Sequence, residues 1–346
     1  MIPDDCKELT HTEYLALLEK VMKLTKERRR SCMCPGCSND AIFSHVFQRR
    51  NQQLAEITTN GKVLAFTYNH LFAFLRSEPL LGYKELGVSK QFGFPGFCNT
   101  HDTALFAPIE RSDSIVDWYD ERNQYLLAYR TLCREIYTNN VMYEFASDIL
   151  HRCVFGENGL FLAYKKIQAD CSYSIHIMNK YKTLLEKGIF SSDYSSYYFK
   201  VVQLPFRLEL CLAAPIVIRD ECKGPYFGPD KDKIVDPINI IEIFPSNGKT
   251  IILIGCLDGA PNSWAGEILG NLQTEEIEDI SWALQDILFR AEFHCISKEL
   301  YDEISEDIPL FLEEWYKQKD NLCSNMTYTS DIFRKPILRR LGYKDE

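Results

Sequence analysis

The sequence contains no long apolar run. No stretch approaches the roughly 20 uncharged apolar residues that a membrane-spanning helix needs, and the nearest candidate, Phe199–Ile218, is interrupted by Lys200, Arg207 and Glu209. The N-terminal segment also lacks the basic start and the apolar centre of a signal peptide. The sequence therefore predicts a cytoplasmic protein that does not span a membrane.

An excess of positive charge is missing as well. The chain has 39 Lys and Arg against 49 Asp and Glu, a net charge of −10, which argues against a broad nucleic-acid surface. The acidity is uneven, because residues 1–110 hold 13 basic and 12 acidic residues whereas residues 111–346 hold 26 and 37. Composition, charge and periodicity all change near residues 110–113, which predicts one domain over 1–111 and a second over 112–346.

The 13 cysteines do not form the dense framework of a small disulfide-rich protein, since they are spread over 346 residues. Only one group has metal-ligand spacing: Cys32, Cys34 and Cys37 with the distant pair Cys98 and His101. We prefer Cys34, Cys37, Cys98 and His101 as the four ligands of a structural Zn²⁺, because Cys34 and Cys37 form a Cys-x-x-Cys knuckle. Cys32 is the alternative to Cys34. Most of the other cysteines lie in apolar surroundings that are typical of buried, unbridged thiols.

Two further side chains stand close to these ligands. His45 ends the short apolar run that follows the knuckle, and a histidine suits a general base because its unperturbed pKa lies near neutrality. Asp102 follows His101 directly and can hold a divalent cation, although a carboxylate in the first turn of a helix is also stabilised by the helix dipole. Five arginines flank the region and are candidate contacts to a phosphate backbone: Arg28, Arg29, Arg30, Arg49 and Arg50. The first three are equally well explained as a solvated helix end.

Periodicity and turn signals predict a mixed chain. Predicted helices run from Thr10 or Thr12 to about Arg29, from Cys98 to about Phe106, and over 112–138, 140–153, 159–187, 274–297 and 298–315. Predicted strands are 41–45, 62–68, 197–204, 207–218, 238–244 and 250–256. The Gly/Pro-broken segment 92–97 is expected to form an aromatic loop across the site.

The order of these residues resembles the zinc-stapled HNH, or His-Me finger, endonucleases over about residues 30–110. The shared pattern is Cys-x-x-Cys, a strand that ends in His45, and then a Cys-x-x-ligand pair that opens a helix and is followed at once by Asp102. The resemblance implies an N-terminal zinc-bound ββα-metal domain. Together with the helices and strands that periodicity predicts for residues 112–346, it leads us to expect an α+β fold in which that domain is followed by a larger, mostly helical domain with a small antiparallel sheet.

The resemblance also implies a function. His45 would be the general base and Asp102 would hold a catalytic Mg²⁺ or Mn²⁺ in an enzyme that hydrolyses phosphodiester bonds of DNA or RNA. The strings around His45 and Asp102 also look like those of bacterial proteins associated with antiviral defence. The second domain would then serve in sensing, regulation, homo-oligomerisation or binding of a partner protein.

A second interpretation makes the same region a catalytically degenerate, zinc-stabilised module that binds nucleic acid or protein. Ser44 stands where the family usually has an acidic residue. The asparagine that steadies the family's histidine is not found shortly before Cys98, where Gln91 and Asn69 are the only substitutes. Both interpretations keep the zinc ligands.

Overall fold

The computed structural model describes residues 10–47, 53–68, 81–110, 116–152, 159–218, 238–257, 261–291, 293–318 and 328–343. This part of the chain contains nine α-helices and nine β-strands. The helices are α1 His11–Lys26, α2 Asn99–Phe106, α3 Glu121–Arg152, α4 Gly159–Ser191, α5 Ser263–Leu272, α6 Ile277–Arg290, α7 Lys298–Ile304, α8 Ile308–Gln318 and α9 Arg334–Arg340. The strands are β1 Ile42–His45, β2 Lys62–Tyr68, β3 Leu81–Gly87, β4 Gly93–Phe97, β5 Tyr197–Leu204, β6 Leu210–Val217, β7 Ile238–Ser246, β8 Lys249–Leu257 and β9 His294–Ile296.

Seven of the strands form one antiparallel sheet in the order β3-β2-β9-β6-β7-β8-β5. β2 and β3 lie before the predicted boundary at 111/112, yet β2 pairs with β9 through Leu64 to Ile296 and Ala65 to Cys295. The sheet is therefore larger than the small one predicted, and it crosses the predicted boundary. The mixed α and β character with antiparallel sheets is confirmed.

Helices cover both faces of this sheet. On one face the long helices α3 and α4 pack against it through residues such as Tyr129, Leu132 and Tyr181. On the other face α5, α6 and α8 bury Trp264 and Trp315 against β2 and β6–β8. The chain thus has three layers with the sheet in the middle, and α3 lies between that sheet and the N-terminal cysteines.

β1 and β4 form a separate antiparallel pair, in which Ile42 lies opposite Phe97 and His45 lies opposite Gly93. α2 follows β4 after one residue, Cys98. β2 and β3 are inserted between the two strands of this hairpin, which ties the hairpin to the large sheet.

Several local predictions need correction. The segment 92–97 is not a loop, because Gly93–Phe97 pairs with β1 as β4. The predicted helices 112–138 and 140–153 are one helix, α3; residues 112–115 and 153 lie outside the described residues. The predicted helix 274–297 ends at Arg290, and His294–Ile296 is strand β9. The predicted helix 298–315 is two helices, α7 and α8.

The N-terminal helix follows its prediction and shows which threonine begins it. Thr10 is the N-cap of α1, and its side-chain oxygen accepts a hydrogen bond from the Glu13 backbone N–H. The Glu13 carboxylate in turn accepts from the Thr10 backbone N–H at 2.9 Å. This reciprocal capping box satisfies backbone donors that would otherwise be left unpaired at the helix end.

Candidate metal centre

The structure brings four potential metal ligands together where the loop before β1 meets the start of α2. The sulfur atoms of Cys32, Cys37 and Cys98 and a ring nitrogen of His101 all lie within 4.8 Å of one another. Cys32 Sγ and Cys98 Sγ are 3.4 and 3.3 Å from His101 Nδ1, and Cys37 Sγ is 3.9 Å from Cys98 Sγ. Of the described residues, these are the ones that form such a group.

These separations fit a tetrahedral zinc shell. Zn–S bonds of about 2.3 Å and Zn–N bonds of about 2.0 Å place neighbouring sulfurs about 3.8 Å apart and sulfur about 3.5 Å from nitrogen. The measured distances are close to both values. A Cys₃His cluster of this size could hold a metal ion such as zinc.

Short-range structure explains why the ligands converge. The Cys37 backbone N–H donates to the Cys34 carbonyl at 3.2 Å, and Gly36 takes the left-handed backbone conformation (φ +71°) that closes this turn. The Met33 backbone N–H donates to the Gly96 carbonyl at 2.8 Å, which fixes the loop to the end of β4. Cys98 is the N-cap of α2, so Cys98 and His101 share the first helical turn.

The protonation of the cluster also favours a cation. The His101 backbone N–H at the start of α2 is the main cause that lowers the pKa of the Cys98 thiol to about 7. Burial raises the pKa of Cys32 instead. A bound metal ion would offset this effect of burial, because its positive charge stabilises the Cys32 thiolate.

The position of Cys34 differs from the ligand assignment that spacing favoured. It is buried, but it lies outside the four-ligand group, and Cys32 takes the place that spacing gave to Cys34. Burial and the neighbouring Cys32 raise the pKa of the Cys34 thiol to about 12, and Lys182 of α4 opposes this shift. The backbone turn spans Cys34 to Cys37, so Cys34 helps to close the loop, and the sulfur atoms of Cys32 and Cys37 lie in the cluster.

His45 lies at the other end of the hairpin. The cluster borders the Ile42–Phe97 pair and His45 is opposite Gly93, so three steps of about 3.3 Å each separate it from the cluster along β1. Its Nε2 lies 3.0 Å from the Ser89 carbonyl and donates to it, which leaves Nδ1 as the basic nitrogen of the neutral ring. Phe43 packs edge-on to the imidazole at a centroid distance of 5.1 Å. His45 is thus placed apart from the metal ligands.

Asp102 forms an ion pair within the chain. Its Oδ1 lies 3.2 Å from Nη2 of Arg130 on α3, and Glu110 lies 2.5 Å from the same nitrogen. Arg130 is 1% exposed, and its guanidinium also lies 3.9 Å from the centre of the Phe106 ring. The arrangement holds α2 against α3 and surrounds one buried cation with two carboxylates.

The candidate phosphate-binding arginines that the structure describes are paired with acids of the same chain. Arg28 lies 2.8 Å from Glu144 and 2.5 Å from Asp148, and Arg30 lies 3.0 Å from Glu144. Arg29 pairs with Asp40 on the surface. Arg49 and Arg50 lie outside the described residues.

Sequence reasoning missed three groups that position the site. The Ser89 carbonyl accepts a hydrogen bond from His45, and Oε1 of Gln91 lies 3.9 Å from the Cys295 thiol. The Tyr129 hydroxyl donates to Glu186 at 2.8 Å and also lies 3.3 Å from the Met33 carbonyl, within the ligand loop. Arg130 is the third. A backbone carbonyl has no signature in sequence. Tyr129 and Arg130 lie on α3, and only the fold determines which residues of that helix face the ligand loop. Asn69, the other substitute that the sequence offered, lies outside the described residues.

Comparison of the chain with protein-family models, with curated proteins and with solved structures gave no match. Among the described residues, no helix has both the length and the apolar character needed to cross a membrane. The cysteines expected to be buried and unbridged are so where the structure describes them: Cys133, Cys171, Cys211, Cys256 and Cys295.

Proposed function

We propose that the β1–β4–α2 unit is a zinc-stabilised, HNH-like endonuclease site that hydrolyses phosphodiester bonds. The observation that carries the proposal is the order of parts: a strand that ends in His45, a second strand paired to it, and a helix whose first turn holds His101 and Asp102. The Cys₃His cluster joins the two halves where β4 meets α2. The sequences around His45 and Asp102 look like those of bacterial proteins associated with antiviral defence, and on this resemblance the proposal includes a role in such defence.

In this proposal His45 is the general base. Its Nε2–H is engaged by the Ser89 carbonyl, so Nδ1 takes the proton from the attacking water. In this proposal the Ser89 carbonyl orients the His45 ring, a role that the resemblance assigns to an asparagine. Phe43 limits rotation of the imidazole from the other side.

A zinc ion held by this cluster would act in folding and not in the reaction. A bound metal converts its binding free energy into stability of the short hairpin, because the four ligands are brought together only in the folded chain. It would be held by Cys32, Cys37, Cys98 and His101.

A divalent cation such as Mg²⁺ would stabilise the charge that develops on the leaving oxygen. Asp102 is the protein ligand that the resemblance provides, and Mg²⁺ often takes only one or two carboxylates together with substrate phosphates. The fit at this position is poor, since the guanidinium of Arg130 already lies 3.2 Å from the carboxylate and repels a second cation.

A cleavage assay tests the proposal. Wild type and His45→Ala are compared on plasmid DNA and on RNA with Mg²⁺ or Mn²⁺, with zinc content and melting temperature measured on the same preparations. We expect cleavage by the wild type and a loss of about 100-fold or more in the variant, the range that general bases contribute. Zinc content and melting temperature should stay almost unchanged, since His45 is not a ligand. Equal cleavage by both proteins would reject His45 as the base.

A second candidate is a zinc-stabilised binding module without catalysis. The contact of Asp102 with Arg130 favours it, because an aspartate used as an internal counter-ion is not available to a metal. The pairing of Arg28 and Arg30 with Glu144 removes two cations from the candidate phosphate contacts. The cleavage assay separates the candidates, because the module predicts that the wild type cleaves neither DNA nor RNA with Mg²⁺ or Mn²⁺.

A further inference from the structure

Phe43 is an exposed aromatic ring on the hairpin of β1 and β4. It is 53% exposed, whereas Phe94 and Phe97 of the paired strand are fully buried. Side chains alternate in direction along a strand, so Ser44 points inward at 1% exposure while Phe43 and His45 share the outer face. The outer face of the hairpin therefore carries an apolar ring next to the candidate general base.

Gly93 brings these two rings together. It lies opposite His45 in the hairpin, and a Cβ atom built on it would stand 2.3 Å from the Phe43 ring and 3.3 Å from His45 Nε2. The absence of a side chain at Gly93 thus lets both rings lie over the backbone of β4, with their centroids 5.1 Å apart. Pro95 lies opposite Phe43, is partly exposed and extends the apolar face.

The charges that precede β1 indicate which form of nucleic acid fits this face. Arg28 and Arg30 are paired with Glu144, and Arg29 is paired with Asp40. A duplex is bound largely through its phosphates, and arginines that already have a carboxylate partner contribute little to such binding. A single strand also offers the faces of its bases, which stack on aromatic side chains.

We propose that Phe43 is a stacking platform for one base of a single-stranded nucleic acid. Stacking would hold the strand on the outer face of the hairpin, with the phosphate next to that base towards His45. A single exposed apolar residue is ordinary on a protein surface, and the position of this ring against the candidate base is what supports the assignment. The inference rests on the proposed endonuclease function and names its substrate class.

Binding of labelled oligonucleotides tests the platform without relying on cleavage. Fluorescence anisotropy gives the Kd for a single strand of DNA, a single strand of RNA and a DNA duplex, with no Mg²⁺ or Mn²⁺ added. We expect at least one single strand to bind more tightly than the duplex, and the tighter of the two identifies the preferred sugar. No binding to either single strand, or equally tight binding to the duplex, would overturn the proposal.

Two substitutions of Phe43 and one control locate the platform. Phe43→Leu keeps an apolar side chain but removes the ring, and it should raise the Kd for the single strand by about tenfold, within the range for loss of one stacked base. Phe43→Trp should keep the affinity, because tryptophan offers a larger ring. Phe190→Leu is the matched control, since Phe190 is also 53% exposed but lies on α4. Its Kd should stay within about twofold of wild type, and an unchanged Kd in Phe43→Leu would reject the platform.

A strand without bases shows whether the lost affinity is stacking. Wild type and Phe43→Leu should bind an abasic strand of the same length equally, because it has phosphates but no base to stack. A loss of the same size on the abasic strand would mean that the substitution disturbs the hairpin, and it would overturn the proposal.

Cleavage is scored separately on the same proteins with Mg²⁺ or Mn²⁺. If the wild type binds single strands through Phe43 but cleaves none, the endonuclease proposal fails and the platform stands. If it cleaves duplex and single strand alike and Phe43→Leu changes neither binding nor cleavage, the platform fails and the endonuclease proposal stands.

Discussion

The Asp102 carboxylate lies 3.2 Å from the guanidinium of Arg130, a residue 28 positions further along the chain and 1% exposed. The contact joins the first turn of α2 to the helix that also packs on the large sheet. A residue identified in sequence as a candidate metal ligand therefore serves as an internal counter-ion.

Replacement of that counter-ion should cost stability. We expect Asp102→Asn to lower the free energy of unfolding by about 1–2 kcal/mol, less than the ~3–5 kcal/mol for breaking a fully buried pair, because Glu110 still neutralises Arg130. Chemical denaturation measures the change. Asp40→Asn is the matched control, since Asp40 pairs with the exposed Arg29 and should change stability by under about 1 kcal/mol. Equal effects of the two substitutions would contradict a structural role for Asp102.

The ligand assignment is tested by two neighbouring cysteines that are both buried. Cys32→Ser should reduce bound zinc from about one ion per chain to near zero after dialysis against a weak chelator, because it removes a ligand. Cys34→Ser should keep the ion. Metal content by atomic emission is the measurement, and retention of zinc by Cys32→Ser with loss by Cys34→Ser would restore the assignment made from spacing.

Glu242 should make stability depend on pH. It is fully buried on β7 and accepts a hydrogen bond from Thr131, and burial raises its pKa to about 8 from an ordinary value of 4.5. Between about pH 5 and 8 the folded chain therefore holds a proton that the unfolded chain has already released. Unfolding is favoured as pH rises through this window, by up to about 1.4 kcal/mol per pH unit.

Glu242→Gln isolates this contribution, because glutamine is uncharged at every pH and its oxygen can still accept from Thr131. The stability of the variant relative to wild type should rise from pH 5 to pH 8 and then level off. Urea denaturation at several pH values measures the difference. Parallel curves for the two proteins would show that Glu242 titrates normally.

Two glycines of β4 should respond differently to alanine. At Gly96 the added Cβ would overlap the ring of Phe94, which is fully buried and has no room to move, so Gly96→Ala should cost about 1–3 kcal/mol. At Gly93 it would overlap Phe43, which is 53% exposed and can rotate into solvent. Gly93→Ala should therefore stay within about 1 kcal/mol of wild type. Thermal melts of both variants check this, and the reverse order would mean that Phe43 is held more firmly than its exposure indicates.

The sequence by itself determined the local elements and the ligand types. Thr10 and Glu13 specify the start of α1 through a capping box, and a helix begins after Cys98 as its residues predict. Ligand spacing indicated the pair Cys98 and His101, because residues one helical turn apart lie close together whatever the rest of the chain does. It also indicated Cys37, although the partner that spacing gave to Cys37 was Cys34.

Only the tertiary structure decided the parts that depend on distant contacts. In the folded chain, Cys32 and not Cys34 lies in the cluster, and Gly93–Phe97 pairs with β1 as a strand. Asp102 forms an ion pair with Arg130. The tertiary structure also carried β2 and β3 across the predicted domain boundary into the large sheet. Each outcome rests on the direction of a side chain or the register of a strand against an element far away in sequence, and local propensity does not encode that information.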